Sequence, residues 1–186
     1  MIITPAQSRI RSTASMMLAI VLAAIPGASA ADRGRAGFIE THRCAVVERL
    51  RSIHLRGPRS TSRDRFLVVS VARAEQSYVQ CIFFDEDTKM QCEASSGAYG
   101  RTPEGSHLTW LAPSRSALHR LGFAQADPDT NYEREIALGT PPDFRVVAGL
   151  MLGALHDAYG ARVGTRLEFT SPQAVLQHDA CAEPVS

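Results

Sequence analysis

Lysine is nearly missing from this sequence: Lys89 is the only one, set against 19 arginines. An excess of either charge is missing too. The chain carries 20 basic and 19 acidic side chains, and that balance argues against a nucleic-acid partner, which calls for a basic surface. Recognised catalytic signatures are absent. No GxSxG elbow, HExxH, Walker loop or GxGxxG occurs, and these are the patterns that would announce an acyl, zinc or nucleotide site. The six histidines are scattered. His156–Asp157 and His178–Asp179 are adjacent pairs, and neighbours on a helix do not face each other. His42 and His119 fall on helical stretches and read as part-exposed surface residues. No CxxC motif and no Cys/His pair at zinc spacing is present, so neither a metal nor another cofactor is expected.

Long apolar runs are lacking as well. The one candidate, Met16–Ile25, is too short to span a bilayer, which takes about 20 residues. It follows Arg9 and Arg11 and precedes the small-residue site Ala28–Ala30. A basic start, a short apolar stretch and a small-residue site in that order predict a secretory signal over residues 1–30, with cleavage after Ala30. No cysteine stands at position 31, so a lipid anchor is not expected, nor any stable membrane anchor after cleavage. The expected mature chain, residues 31–186, loses Arg9 and Arg11 and keeps 18 basic against 19 acidic residues. Its length suits one domain with a core of its own, and its place is periplasmic or secreted.

Four cysteines in an exported chain favour disulfides. Two of them flank an acidic turn in "YVQCIFFDEDTKMQC", Tyr78 to Cys92. With the turn centred between Glu86 and Asp87, partners across the strands have residue numbers that add to 173, which sets Cys81 opposite Cys92. The same register sets Phe83 against Met90 and Val79 against Ala94. Side chains alternate faces along a strand, so Val79, Cys81, Phe83, Met90, Cys92 and Ala94 form one apolar face that holds both cysteines. Directly opposed residues lie within disulfide reach. Cys44 then pairs with Cys181, the alternative being two unpaired thiols. The acids of "FFDEDTK" read either as a weak calcium site or, more simply, as a solvated hairpin tip.

Elsewhere, helical spacing over 38–53 places Ile39, Val46, Leu50 and Ile53 on one face, with Cys44 pointing away from it. Six arginines between Arg49 and Arg65 read as a solvated linker or as a basic patch for an anionic partner. Residues 65–72 read as a strand. "APSRSALHRLG" reads as a short helix opened by Pro113 and stopped by Gly122. Residues 131–138 read as a strand. A long helix follows, with Thr140 as N-cap, Pro141 at N1, Asp143 at N3 and Gly160 as its stop. Residues 165–169 add a last strand. The expected order is α-β-β-β-α-β-α-β, an α+β domain with one largely antiparallel sheet.

On the long helix, Phe144, Val147, Ala148, Met151, Leu155 and Ala158 share a stripe that must face the sheet. The other side holds Val146, Gly149, Leu150 and Gly153, small and uncharged residues on what ought to be a wet surface. Either helix 38–53 or residues 165–169 cover it, or it is a face for a protein partner or a second copy.

"SYVQCIFF", "LAPSRSALHRLGF", "NYEREI", "VVAGLMLGALHDAYG" and "LEF" together resemble the TY-Chap family, whose domains are similar to type III secretion chaperones. The resemblance covers roughly Phe66 to Pro172. It rests on the spacing of Tyr78–Val79–Gln80, Leu121–Gly122–Phe123, Asn131–Tyr132 and Ala158–Tyr159–Gly160. It implies a small α+β domain that binds other proteins or itself, and it carries over no catalytic residue. The competing function class is a small hydrolase using the loop of Ser95, Ser106 and His107.

Overall fold

The computed structural model describes residues 30–55, 65–101 and 108–171. Three helices and five strands follow one another as α1 (Ala30–His54), β1 (Phe66–Val71), β2 (Tyr78–Phe84), β3 (Lys89–Ala94), α2 (Ala112–Arg120), β4 (Tyr132–Ala137), α3 (Phe144–Asp157) and β5 (Leu167–Thr170). The sheet order is β4-β3-β2-β1-β5, and every neighbouring pair is antiparallel. The expected order and fold class are those observed.

The hairpin register is the one that strand alternation demands. Val79 pairs with Ala94, Cys81 with Cys92 and Phe83 with Met90. All six side chains are fully buried. Cys81 and Cys92 form a disulfide with Cα atoms 4.0 Å apart. Cys44 is disulfide-bonded as well; Cys181, the partner assigned to it above, lies outside the described residues, as does the whole of the expected signal.

All three helices pack on the face of the sheet that holds these residues. Leu67 and Val69 of β1 join the core there with Ile136 of β4. α1 supplies Phe38, Ile39, Val46, Leu50 and Ile53, and α3 supplies Phe144, Val147, Ala148, Met151 and Leu155. β5 turns Phe169 inward to the helix layer, where the Arg49 guanidinium lies 3.9 Å from its ring centre.

Strand ends differ from the sequence reading by a residue or two, with β5 at Leu167–Thr170 and not 165–169, and two helix starts differ by more. α1 begins at Ala30, well before residue 38. Its added turns are tied down by Arg35, which reaches Asp157 of α3, and by Gly37, which lies against Val163. At the start of α3 the N-cap is Asp143, not Thr140: its carboxylate accepts the Arg145 N–H at 3.0 Å. The Asp143 N–H is used by the Leu138 carbonyl at 2.8 Å. The segment between β4 and α3 is therefore a turn and not a first helical turn. α2 and α3 do stop as expected, with Gly122 at φ +80 and Gly160 at φ +73.

Candidate functional site

Three of the residues singled out by spacing, Tyr78, Asn131 and Tyr159, meet in one place. Beyond β3 the chain bends away, and the carbonyl of buried Ser95 accepts two hydrogen bonds, from Trp110 Nε1 at 3.0 Å and from the Tyr159 hydroxyl at 2.7 Å. Burial, reinforced by the nearby Tyr78 and Tyr132, holds the Tyr159 phenol well above its ordinary value of 10.0. Asn131 joins the cluster from the other side. Its carbonyl oxygen accepts the Ser96 N–H at 3.1 Å, and its amide donates to the Tyr78 hydroxyl at 3.0 Å. Gly97, at φ +86, lets the Leu108 carbonyl approach to 2.6 Å from where a Cβ would stand. No other residue fits such a position. Tyr78, Asn131 and Tyr159 are thus a latch that fixes the segment after β3 onto the end of α3. Leu121 serves a matching purpose at the end of α2, where its carbonyl accepts from Arg134.

This geometry leaves the hydrolase reading without support. Ser95 is buried, its hydroxyl donates to Gln76 Oε1 at 3.1 Å, and its oxygen accepts the Gly97 N–H at 3.2 Å. Among the described residues no imidazole hydrogen-bonds to Ser95, and a nucleophile needs a base in reach. Ser106 and His107 lie outside the described residues.

The acidic tip is not an open acidic cup either. Asp85, Glu86 and Asp87 occupy left-handed backbone conformations at φ 51, 54 and 66. That turn swings Asp87 inward, where it is 4% exposed and pairs with Arg65, itself 3% exposed. Arg65 also donates to the His54 carbonyl at 3.1 Å, so the tip is locked to the end of α1. Among the described residues no three His, Cys, Asp or Glu side chains gather as a metal ion would require.

The four residues assigned to a partner face on α3 are divided. Leu150 and Gly153 are buried. A Cβ on Gly153 would stand 2.6 Å from Arg35 Nη2; its missing side chain is the space through which Arg35 crosses α3 to make its ion pair with Asp157 at 2.8 Å. α1 therefore covers that end. Val146 is 52% exposed, and Gly149 has nothing within 4 Å of its would-be Cβ. Only these two stay open.

Among the described residues, two surfaces stand out as suited to a ligand. One is the ridge of Leu108–Trp110, with a cavity of about 330 Å³ on the side of Arg115 and Tyr132 and another of about 410 Å³ on the side of Glu75 and Arg101. Tyr99 and Leu111 stand exposed beside it, at 62% and 76%. The other is the side of the sheet opposite the helices, which no helix of the described residues covers. Sequence reasoning missed both, because each is made by what fails to pack on an element and not by a residue pattern within it.

The fold and these surfaces define a small α+β domain built around an antiparallel sheet with its helices on one side. A family model described as T3SS (YopN, CesT) and YbjN peptide-binding chaperone 3, TY-Chap3, matches residues 45–173. The match spans well over half of the chain, and the chain belongs to that family. Searches of curated proteins and of solved structures gave no match.

Proposed function

We propose that the protein is an exported, non-catalytic chaperone-like module that holds extended segments of other proteins. The observation that carries this reading is the one-sided sheet: a five-stranded layer whose second face bears apolar side chains and has no helix over it among the described residues. Such a face is suited to transient apolar contact with a chain that has not buried its own. The family description, a peptide-binding chaperone, supports the same reading. Export is supported by the order of the first thirty residues and by the absence of free cysteines among the described residues, a usage suited to an oxidising compartment.

The test is suppression of aggregation. Purified protein 31–186 at stoichiometric ratio should delay light scattering by reduced, unfolded lysozyme, without hydrolysing it. No delay at any ratio overturns the reading. Self-association belongs to the same proposal. Leu150→Arg would strike the core, so Val146→Arg is the variant that separates a dimer face from a bare surface. Sedimentation of a wild-type dimer that Val146→Arg converts to a folded monomer supports a second copy as partner. A wild type that is monomeric at all concentrations overturns it.

A further inference from the structure

From β1 to β4 the uncovered side of the sheet grades from apolar to acidic; β5, at the edge beyond β1, adds exposed Glu168 and Thr170 to that side. β1 and β2 present Phe66, Val68, Ile82 and Phe84 there, each part-exposed. β3 and β4 present Glu93, Glu133 and Glu135, with Lys89 as their only cation on that side. Val68 stands beside Gln80, Gln80 beside Glu93, and Glu93 beside Glu133. The gradient therefore runs along a single row at right angles to the strands, and at ~4.8 Å per strand such a row is roughly 15 Å long.

The charge on this row is not neutralised within the described residues. Glu93 and Glu133 face each other directly across the ladder, an arrangement that destabilises a sheet. Their partners are neutral amides. Glu93 accepts from Gln80 at 3.0 Å and from Asn131 at 3.3 Å, and Glu133 accepts from Gln91 at 3.1 Å. Lys89 goes elsewhere, to Glu135 at 3.1 Å and Asp85 at 3.4 Å. A cation brought to this row would relieve a repulsion that the fold itself leaves standing.

We infer that this face docks client segments in which an apolar stretch lies next to arginine or lysine, the apolar side chains over Val68 and Ile82 and the cation between Glu93 and Glu133. The inference deepens the proposed function and rests on it. An acidic or purely apolar segment would leave the two carboxylates desolvated and unpaired, which is costly. The row thus selects as well as binds.

Two short fluorescein-labelled synthetic peptides test it. They share the same leucine and valine positions, and one carries arginines where the other carries glutamates. Anisotropy should show the arginine peptide binding the wild-type protein and the glutamate peptide binding at least about tenfold more weakly, a difference of ~1.4 kcal/mol. Glu93→Gln with Glu133→Gln should weaken the arginine peptide by a similar factor and should flatten the salt dependence of its binding. If that pair of changes disturbs folding, Glu133→Gln alone, exposed and isosteric, should still weaken it severalfold. Equal binding of both peptides, or unchanged affinity in the folded variants, overturns the inference. Where lysozyme aggregation is still suppressed by those same variants, clients bind elsewhere and the proposed function survives alone. Where the wild type neither suppresses aggregation nor binds either peptide, both fail. A self-association that the double substitution abolishes also overturns it, since a second copy would then own the face.

Discussion

Gly149 and Gly153 look alike in the sequence and differ in the structure. A methyl at 149 meets nothing within 4 Å, whereas one at 153 meets the tip of Arg35. Glycine inside a helix costs about 1 kcal/mol relative to alanine. Gly149→Ala should therefore raise the melting temperature by roughly 2–4 °C. Gly153→Ala gains the same propensity but displaces an ion pair that is part-exposed and worth up to ~1 kcal/mol, so its melting temperature should stay near wild type. Thermal melts of the two variants decide this; equal gains would show that Arg35 yields freely. A second residue-scale test concerns His42. Burial lowers its pKa below the ordinary 6.5, partly offset by a backbone hydrogen bond at Val163. The unfolded chain then binds a proton that the folded chain refuses, so this contribution is present above pH 6.5 and is lost as pH falls below it. Melting temperature should drop between pH 7.5 and 5.5, and His42→Gln should drop less. The role of Gly153 was not legible from sequence, because it depends on where α1 crosses α3. The Cys81–Cys92 pair was legible, because alternation and a turn centre fix a hairpin register without help from the rest of the chain.

The β2–β3 hairpin is held at two points along its length, by the disulfide in its middle and by Asp87 at its tip. The pairing of Asp87 with Arg65 is almost fully buried, and removing one partner from such a pair leaves an uncompensated charge at a cost of about 3–5 kcal/mol. Asp87→Ala should be strongly destabilising in a urea melt, while Asp85→Asn, at an exposed position two residues away and with a side chain that tolerates the left-handed backbone there, should change stability by less than about 0.5 kcal/mol. Near-equal effects would mean that the tip is solvated after all. The sequence showed three acids and an arginine-rich approach, and solvation was the simpler account of each. Only the left-handed turn, which rotates one acid inward, couples them. The start of α3 was misjudged for a related reason: Thr140 and Asp143 are both good caps by residue type, and the choice between them is made by the Leu138 carbonyl.

At the scale of the whole molecule, the succession of helices and strands along the chain and the buried faces of α1 and α3 were legible, because each follows from a period of apolar residues; the sheet order β4-β3-β2-β1-β5 was not, because it depends on which strands pair. The free surfaces were not, because exposure depends on what other elements leave uncovered. Two expectations concern the chain beyond the described residues. Edman sequencing of native protein should begin at or near Ala31; an intact Met1 in a cytosolic fraction removes the export proposal. Non-reducing peptide mapping should link Cys44 to Cys181 and the fragment of Cys81 only to itself; a Cys44–Cys81 peptide would contradict the buried hairpin bond.

The single tryptophan makes the protein its own spectrometer. Trp110 lies with its ring centre 5.2 Å from that of Tyr159 and its indole N–H tied to the Ser95 carbonyl, on the ridge between the two cavities. Its emission colour and quenching therefore report that ridge alone. A ligand entering either cavity should shift the spectrum on binding. A segment laid across the acidic row, on the far side of the sheet from the helices, should leave the spectrum unmoved while its own label loses mobility, so intrinsic fluorescence and anisotropy read side by side distinguish the two surfaces without a single substitution.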